Sequence, residues 1–405
     1  MRLVRRGPFA LLFFGSALNA IGTWATLIAL WGYAAYRFHV GPGAIAVLGL
    51  AWSAPGALVS PFAGLPIDRL GPKRVLIASN LLGVATSLAM AAAGRFSTLA
   101  VLAIGAGVVQ AFGRPAAMSL PARLVDDEDL LAANSLLGAA EQSAIVFGPL
   151  VGAAAISLWG VRAPFLFDAA TFVAGALVVW PLRLSPVHPA PPLPVRQELA
   201  RGLALARAIP EVRRTLLLAG AVFCSWGAFF VLEPLYVRDV LHRSPAVLGL
   251  FQTAFGVGLF GTTLLLPRIG DRVASVRALS ISVAVSGLAA AVYVGTHVLA
   301  VAFVGVFVWG VDVAFFFPPM QTLLQRVTPV EAHGRVLALA STLDGVGNLA
   351  GIPLTGVIVA LIGVPATGAV VGGFALTAGA VGWRVDRRAR RTTSVRRAAS
   401  GTMSG

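Results

Sequence analysis

The stretch Gly64–Arg74 reads GLPIDRLGPKR and lies between two long apolar runs. It brings one acidic and three basic residues together in a chain of 405 residues of which only 12% are charged. Soluble domains carry about 25% charged residues, so this chain has too few charges to cover a water-soluble surface. Hydrophobic residues make up 58% of the chain. These proportions exclude a soluble enzyme and a disordered chain, and they indicate a membrane protein with many spans.

Apolar runs on both sides of this turn predict twelve transmembrane helices. A bilayer core about 30 Å thick is crossed by a helix of about 20 apolar residues. In the first half we predict spans 1 to 6 at 9–35, 44–66, 74–94, 97–119, 133–158 and 164–182. In the second half we predict spans 7 to 12 at 215–237, 245–267, 276–296, 298–320, 335–361 and 364–383. The expected fold class is therefore an all-α membrane protein.

The distribution of arginines predicts that both termini are cytoplasmic. With that orientation, only five arginines fall on the outer side, namely Arg37, Arg95, Arg162, Arg238 and Arg243. All the other basic segments fall inside, as the positive-inside rule requires. Topology thus explains the net charge of +15, and we expect the basic tail to meet membrane lipid rather than nucleic acid.

The second half of the chain repeats the first. The pentapeptide AVLGL occurs at 46–50 and again at 246–250, and many polar, glycine and proline residues recur at an offset of 203, among them Glu141 and Asp344. Because both halves would enter from the cytoplasmic side, we expect two six-helix bundles related by a pseudo-twofold axis along the membrane normal. The predicted units are an N-terminal bundle at 1–183, a cytoplasmic linker with an amphipathic helix at 184–214, a C-terminal bundle at 215–384 and a basic cytoplasmic tail at 385–405.

Four acidic residues inside predicted spans are candidates for a proton-binding or cavity role: Glu141, Asp344, Asp312 and Glu233. Charged groups in a membrane are costly and mark a transport pathway or an ion pair. For Glu141 the alternative is a static pair with Arg114. For Asp344 and Asp312 the alternative is a hydrogen-bonded structural role. Glu233 is expected at the outer membrane interface.

The turn between spans 2 and 3 resembles the signature loop of the major facilitator superfamily, G-x-x-x-D-R-x-G-x-[RK]-[RK]. Every fixed position is present, as Gly64, Asp68, Arg69, Gly71, Lys73 and Arg74. The stretches Phe112–Leu136, Pro234–Leu250 and Gln325–Leu339 resemble the bacterial subfamily that includes siderophore exporters and macrolide-type efflux pumps. The resemblance implies the two-bundle fold of that superfamily and a multi-pass protein of the bacterial plasma membrane.

The signature loop and its repeat are predicted to form a gate at the cytoplasmic side. The repeat keeps Asp271, Arg272 and Arg277 but lacks the leading glycine. Because free N–H groups at a helix N-terminus favour an anion, Asp68 is expected at the start of span 11 and Asp271 at the start of span 5 when the gate is shut. Gly64 is expected where two helices approach closely. The alternative for the whole loop is a plain structural turn.

Two glycine–proline clusters predict kinked and closely packed helices. They comprise Gly148, Pro149 and Gly152 in span 5, and Gly351, Pro353 and Gly356 in span 11. The first cluster resembles the antiporter motif of exporters, of which only the Gly-Pro core is present.

The sequence contains no P-loop, no G-x-S-x-G and no cluster of metal-ligating residues, so we expect no cofactor, no metal and no enzymatic activity. Together with the resemblance, these features imply secondary active transport by alternating access, with proton-coupled efflux of amphipathic small molecules as the first hypothesis. The alternatives are an importer of a small solute, and a receptor or assembly protein that does not transport. The expected partners are a small-molecule substrate, protons and membrane lipid, with no obligate protein partner.

Overall fold

The structure, a computed structural model, describes residues 7–59, 62–182, 195–329 and 332–401. Within these ranges every regular element is helical. The helices up to residue 182 are α1 (Gly7–Gly32), α2 (Pro42–Val59), α3 (Gly64–Leu70), α4 (Pro72–Ala92), α5 (Phe96–Met118), α6 (Asp127–Trp159) and α7 (Ala163–Val179). The later helices are α8 (Val195–Ala208), α9 (Pro210–Leu235), α10 (Ala246–Ile269), α11 (Val276–Gly295), α12 (Leu299–Ala314), α13 (Phe317–Val327), α14 (His333–Ile362) and α15 (Val364–Gly401).

In the described part of the chain, eleven helical stretches are long and apolar enough to cross a bilayer. They coincide with eleven of the predicted spans. Span 6 corresponds to α7, a shorter apolar helix of 17 residues, which is about the shortest length that crosses a bilayer core. The prediction of an all-α protein with multiple membrane spans is confirmed.

Two predicted spans are each divided into two helices. Span 2 was expected to reach residue 66, but α2 ends at Val59 and a separate short helix, α3, follows it. Span 10 is interrupted after α12, where the backbone N–H of Phe315 and that of Phe316 bond only three residues back. The two prolines that follow are accommodated because they lie in the first turn of α13, where no intrahelical N–H donor is needed.

Helix packing follows the division of the chain into halves. In the first half α1 packs against α6 and α7, α4 against α5 and α7, and α2 against α5. In the second half α9 packs against α14 and α15, α11 against α12 and α15, and α10 against α12. Between the halves, α2 packs against α14 and α6 packs against α10.

The predicted glycine clusters lie where these helices touch. A Cβ atom at Gly148 would lie 2.9 Å from the carbonyl oxygen of Ile21 on α1, and one at Gly351 would meet the carbonyl oxygen of Cys224 on α9. Gly152 also packs against α1, at Ala25. Only residues without a side chain allow two helix backbones to approach this closely.

The other members of these clusters lie at contacts between the halves or within a helix. The carbonyl oxygen of Pro149 lies against Gly249 of α10, and Gly356 lies against Ala46 of α2. Pro353 lies inside α14, which continues through it as a helix.

The internal repeat extends to hydrogen bonds and to backbone conformation. The hydroxyl of Tyr33 donates to the carbonyl oxygen of Ala93 at 2.8 Å, and that of Tyr236 donates to Thr296 at 2.7 Å. Donors and acceptors are each separated by 203 positions. The same separation relates the positive-φ residues His39 and His242, and Gly160 and Gly363.

The linker and tail are partly described. The predicted amphipathic helix of the linker is α8, which packs against α9 and α14. Of the apolar residues on this helix, Ala206 is buried, whereas Leu203 is exposed. Residues 183–194 lie outside the described part. The predicted tail continues α15 as far as Gly401.

Candidate functional site

A cavity of about 1280 Å³ lies between the halves. Helices α1, α2, α4, α5, α6 and α7 of the first half form most of its wall, and α9 and α14 of the second half complete it. The wall includes Leu12 at the start of α1, Leu58 at the end of α2 and Met118 at the end of α5. These positions lie at the end of the molecule that bears the signature loop, which we call the loop end. The cavity therefore extends to the loop end.

Contacts between the segments that directly follow α1 and α9 close the opposite end. The guanidinium of Arg238 donates to the carbonyl oxygens of Ala35 at 3.0 Å and Val40 at 2.8 Å. In the other direction, the hydroxyl of Tyr36 donates to the carbonyl oxygen of Arg243 at 2.6 Å. The two carbonyl groups at Val40 and Arg243 are themselves 203 positions apart. We call this set of cross-half contacts the outer clamp.

Three ionisable residues line the cavity within the described part of the chain: Arg114, Glu141 and Asp344. Arg114 and Glu141 form a bidentate pair, with nitrogen–oxygen distances of 3.2 and 2.9 Å. The Arg114 side chain is 68% exposed and that of Glu141 32% exposed. The pairing that was one of two alternatives for Glu141 is thus present, and it faces the cavity.

Asp344 lines the cavity from α14 without a basic partner among the described residues. Its carboxylate accepts a hydrogen bond of 2.8 Å from the side-chain amide of Asn348, one turn further along the helix. With Arg114 and Glu141 neutralising each other, the ionised carboxylate of Asp344 leaves the wall with a net charge of −1.

The cavity wall also offers unsatisfied polar atoms and aromatic rings. Among the residues that the structure describes, the buried atoms without a hydrogen-bond partner include the Nδ2 of Asn19, the Nε1 of Trp226 and the Oδ1 of Asn348, all on residues that line the cavity. Trp24 and Trp52 add aromatic surface. Such a wall combines apolar contact area with a few polar groups that fix orientation, as small-molecule sites do.

The structure does not place the other two candidate acids in the cavity. Asp312 is 6% exposed; its backbone carbonyl accepts from Ser282 of α11, and its Oδ2 has no partner in the described part. Glu233, which was expected at the outer membrane interface, is enclosed by protein near the end of α9 and is only 5% exposed. The hydroxyl of Tyr293, at 2.9 Å, and the amide of Gln252 donate to its carboxylate. A proline next to Glu233 and a nearby helix end suggested exposure, but three helices enclose it.

One buried acid was not among the candidates. Asp168 on α7 is 2% exposed, and its Oδ2 accepts hydrogen bonds of 2.9 Å from both Thr26 and Ser87. The sequence signal was available, since FLFDAATF at 165–172 is an apolar run with one acid. Asp168 lies near the start of the shortest predicted span, at 164–182. At that position an acid within the membrane cannot be told from an acid in the adjoining loop by sequence alone.

The signature loop forms the turn that was expected. Gly71 has φ +83°, a conformation that glycine adopts readily, and Pro72 begins α4. Lys73 donates to the carbonyl oxygen of Leu182 at 2.9 Å, which ties α4 to the end of α7. Asp68, Arg69 and Arg74 are exposed.

In this conformation Asp68 forms no hydrogen bond with the described start of span 11, the helix N-terminus predicted to bind it. Asp68 makes no hydrogen bond or ion pair with any residue that the structure describes. The expectation that Gly64 lies at a close helix approach is not met in this conformation, because no atom of the described residues on another element lies within 4 Å of the position its Cβ would take. In the second loop Arg272 and Arg277 are exposed, and the side chain of Asp271 lies outside the described residues.

The chain belongs to the major facilitator superfamily. The family model, described as Major Facilitator Superfamily, matches residues 12–236 and 215–402. The chain is 20% identical over 367 residues to the uncharacterized MFS-type transporter YfiS of Bacillus subtilis, with coverage of 88% of this chain and 87% of that protein. It is 22% identical over 325 residues to macrolide efflux protein A of Streptococcus pyogenes, with coverage of 76% and 79%.

Solved structures show the same fold. A bacterial homologue of the human lysosomal transporter Spinster, in an inward-facing and unoccupied conformation, aligns with a TM-score of 0.74 at 16% identity, with coverage of 94% of this chain and 96% of that one. The protein is therefore a secondary transporter and a multi-pass membrane protein rather than an enzyme, and the predicted resemblance to macrolide-efflux-like members is confirmed.

Proposed function

We propose that this protein exports amphipathic small molecules from a bacterial cell in exchange for protons. The two halves, 1–183 and 215–384, are six-helix bundles that together make twelve spans. They rock against each other about a pseudo-twofold axis along the membrane normal. The cytoplasmic side is the one to which the positive-inside rule assigns the basic loops. It holds both termini, the linker at 184–214 and the tail at 385–405. The loop end is then the cytoplasmic end.

The observation that carries this proposal is a cavity between the halves with one closed end. It extends to the loop end, while at the other end the outer clamp joins the segments that follow α1 and α9. A carrier needs a site that reaches one side of the membrane at a time, and the seam between repeated bundles is where such a site lies. Release of the outer clamp and closure of the signature loops would turn the same site to the outside.

The cavity wall favours an amphipathic substrate that carries a positive charge. Its net charge is −1 when the acids are ionised, and the free charge is that of Asp344. Indole rings attract cations through their π faces, and Trp24, Trp52 and Trp226 supply them. The names of efflux relatives, including macrolide efflux protein A, agree with export of a large apolar compound.

Protons are the proposed coupling ion because, in the described part of the chain, the membrane helices carry several acids without a cationic partner. Among them Asp344 reaches the cavity, whereas Asp312 and Glu233 lie behind it in the second half. Glu141 also reaches the cavity but is paired with Arg114. An acid that is charged in one conformation and neutral in the other links proton movement to the rocking motion.

Transport by the purified protein in proteoliposomes tests the proposal. The probes are a macrolide and the lipophilic cation ethidium, and an internal pH dye follows protons. We expect probe movement against a concentration gradient when a proton gradient of the opposite direction is imposed, with a matching proton flux. Protein-free liposomes provide the control.

Two other outcomes would each support a different function. Probe and protons that move in the same direction would make the protein an importer. Binding without movement of either would make it a receptor or assembly protein on a transporter scaffold.

A further inference from the structure

Asp168 lies at the meeting point of three helices of the first half. Thr26 of α1 and Ser87 of α4 donate to its Oδ2, each at 2.9 Å. All three side chains are at most 3% exposed. The carboxyl group is therefore held by neutral hydroxyl groups and shielded from both lipid and water.

No charged group balances Asp168 among the residues that the structure describes. Three helices pack against α7. Along α1 the first titratable side chain is that of Tyr33, directly after the end of the helix. Its hydroxyl donates to a backbone carbonyl oxygen and accepts from the Nε of Arg162 at 3.3 Å. On α4 the cations Lys73 and Arg74 lie at the opposite end of the helix, and on α6 Glu141 is paired with Arg114. An ionised Asp168 would thus be an uncompensated charge inside the membrane, which is costly.

The site has no room for a metal ion. A Cβ at Gly22 would lie 2.6 Å from Oδ1 of Asp168, so the backbone of α1 lies directly over the carboxyl group. A metal ion needs a shell of several oxygens around it, whereas a proton needs no added volume. The cation that fits this site is a proton.

The Thr171 hydroxyl lies close to two oxygens of Asp168. It donates to the backbone carbonyl oxygen at 2.8 Å and lies within donating distance of Oδ1, at 3.4 Å. A hydroxyl group can donate to an ionised carboxylate oxygen and can accept from a protonated one. The site can therefore hold the carboxyl group in either protonation state.

The internal repeat shows that the fold does not require an acid at this position. At the offset of 203, Thr26, Ser87 and Asp168 correspond to Phe229, Ala290 and Val371. Those three residues lie together in the second half, around one small void of about 10 Å³. The same helix junction is therefore built with apolar side chains in one half and with an acid and hydroxyl groups in the other.

The acid lies one helical turn from the transport cavity. Phe172, four residues and about 6 Å further along α7, lines the cavity, as does Thr23, one turn before Thr26 on α1. The ring of Phe172 packs against Gly83 of α4. Phe172 is therefore the cavity-lining residue of α7 nearest to the acid along the helix.

We propose that Asp168 is a proton-binding site of the first half, loaded from the cavity past Phe172. In loading, an O–H bond of a hydronium ion in the cavity breaks, a new O–H bond forms at Oδ1, and a water molecule is left behind. The hydrogen bonds from Thr26 and Ser87 to Oδ2 remain, and the carboxyl group becomes neutral. In unloading, the O–H bond breaks and water takes the proton. This assignment rests on the proposed antiport but is tested first by a property that does not involve transport.

Infrared spectroscopy of the purified full-length protein, with aspartate labelled by ¹³C, tests the site directly. We expect the C=O stretch of a protonated aspartic acid that disappears reversibly as the buffer is taken from mildly acidic to mildly basic, and that is missing in Asp168→Asn. Asp312→Asn, a buried acid of the second half, is the matched control and should retain this band. A titrating band that is unchanged in Asp168→Asn, or no titrating band at all, would overturn the proposal.

A second variant, Ser87→Ala, tests the assignment if Asp168→Asn fails to fold. Ser87→Ala keeps the acid but removes one hydroxyl donor, so the frequency of the Asp168 band must shift; an unchanged frequency counts against the assignment.

In proteoliposomes, Asp168→Asn should still exchange ethidium across the membrane, but a proton gradient should no longer drive accumulation of ethidium. Wild-type accumulation in that variant would overturn the role of Asp168 while leaving export intact. A wild-type protein that moves no probe would instead overturn the proposed function.

Discussion

At the scale of single residues, the charges of the cavity are asymmetric although the positions that hold them are repeated. Glu141 and Asp344 are 203 positions apart, yet only Glu141 has a basic partner, Arg114. Asp344 has the neutral amide of Asn348 instead. One carboxylate is thus neutralised within the protein, and the other is available to a ligand.

Replacement of Asp344 should therefore weaken the binding of cations selectively. We expect Asp344→Asn to lower the affinity for ethidium about tenfold, which is about 1.4 kcal/mol, because it removes the one unpaired charge of the wall. Affinity for an uncharged amphipathic compound of similar size should not change. Isothermal titration with both compounds measures the difference.

Glu141→Gln is the matched control, since it changes the repeat-related acid. That carboxylate already forms an ion pair, so its loss frees Arg114 and should not reproduce the selectivity of Asp344→Asn for cations. Equal losses for the charged and uncharged compounds in Asp344→Asn would show that the residue acts through the shape of the site.

At the scale of helices, glycine at crossing points sets the distance between α1 and α6. We expect Gly148→Ala to destabilise the protein by about 1–3 kcal/mol, the usual cost of overpacking a tight contact. The reason is that the added methyl group would overlap Trp24 and lie 2.9 Å from the carbonyl oxygen of Ile21. Thermal unfolding in detergent measures the change.

Gly138→Ala provides the comparison on the same helix. No atom lies within 4 Å of the Cβ position at Gly138, and alanine has a higher helix propensity than glycine. This variant should be neutral or slightly stabilising. If both variants behave alike, helix propensity rather than packing determines the effect.

The segments that follow α1 and α9 form the outer clamp, and Arg238 contributes its side-chain donors from the second half. Arg238→Gln removes charge-assisted hydrogen bonds to Ala35 and Val40, each worth about 1.5–3 kcal/mol. We expect the population open at this end to rise about tenfold or more. Spin labels at Arg37 and Ser244, both exposed, report the distance between the two helix ends when placed in a Cys224→Ser background.

Arg243→Gln separates charge from geometry at the same end. Arg243 takes part in the clamp through its backbone carbonyl oxygen, which accepts from Tyr36, so its side chain can be replaced without loss of that bond. The distance distribution should stay that of the parent protein. Opening in both variants would indicate a general effect of positive charge at this end.

At the scale of the whole molecule, the open loop end and the exposed signature loop belong to one conformation. Asp68 is exposed and would reach a helix N-terminus only when the two halves close at the loop end. Such an interaction is worth about 1 kcal/mol. Asp68→Asn should therefore shift the equilibrium toward the conformation open at the loop end by about fivefold and slow transport, with no change in protein abundance.

Transport rate and membrane abundance are measured together for Asp68→Asn. Glu211→Gln is the control, because Glu211 is an exposed acid at the same end of the molecule, in the first turn of α9. A loss of abundance without a loss of rate per molecule would favour a structural turn over a gate.

The sequence by itself determined the membrane location, the positions of the spans and the turn at Gly71. These features depend on local properties, namely the length of an apolar run, the sign of the flanking charges and a backbone conformation open to glycine. The repeat was visible for the same reason, since it is a comparison of one stretch with another.

Only the tertiary structure decided which acids face the cavity and which lie behind it. Lipid is as apolar as a protein core, so a transmembrane helix is apolar on nearly every face and its periodicity does not show which face points inward. Asp344 and Asp312 therefore look alike in sequence, although one lines the cavity and the other is buried beside α11. The burial of Glu233 and Asp168 likewise depends on Tyr293, Thr26 and Ser87, which the chain brings to them from distant helices.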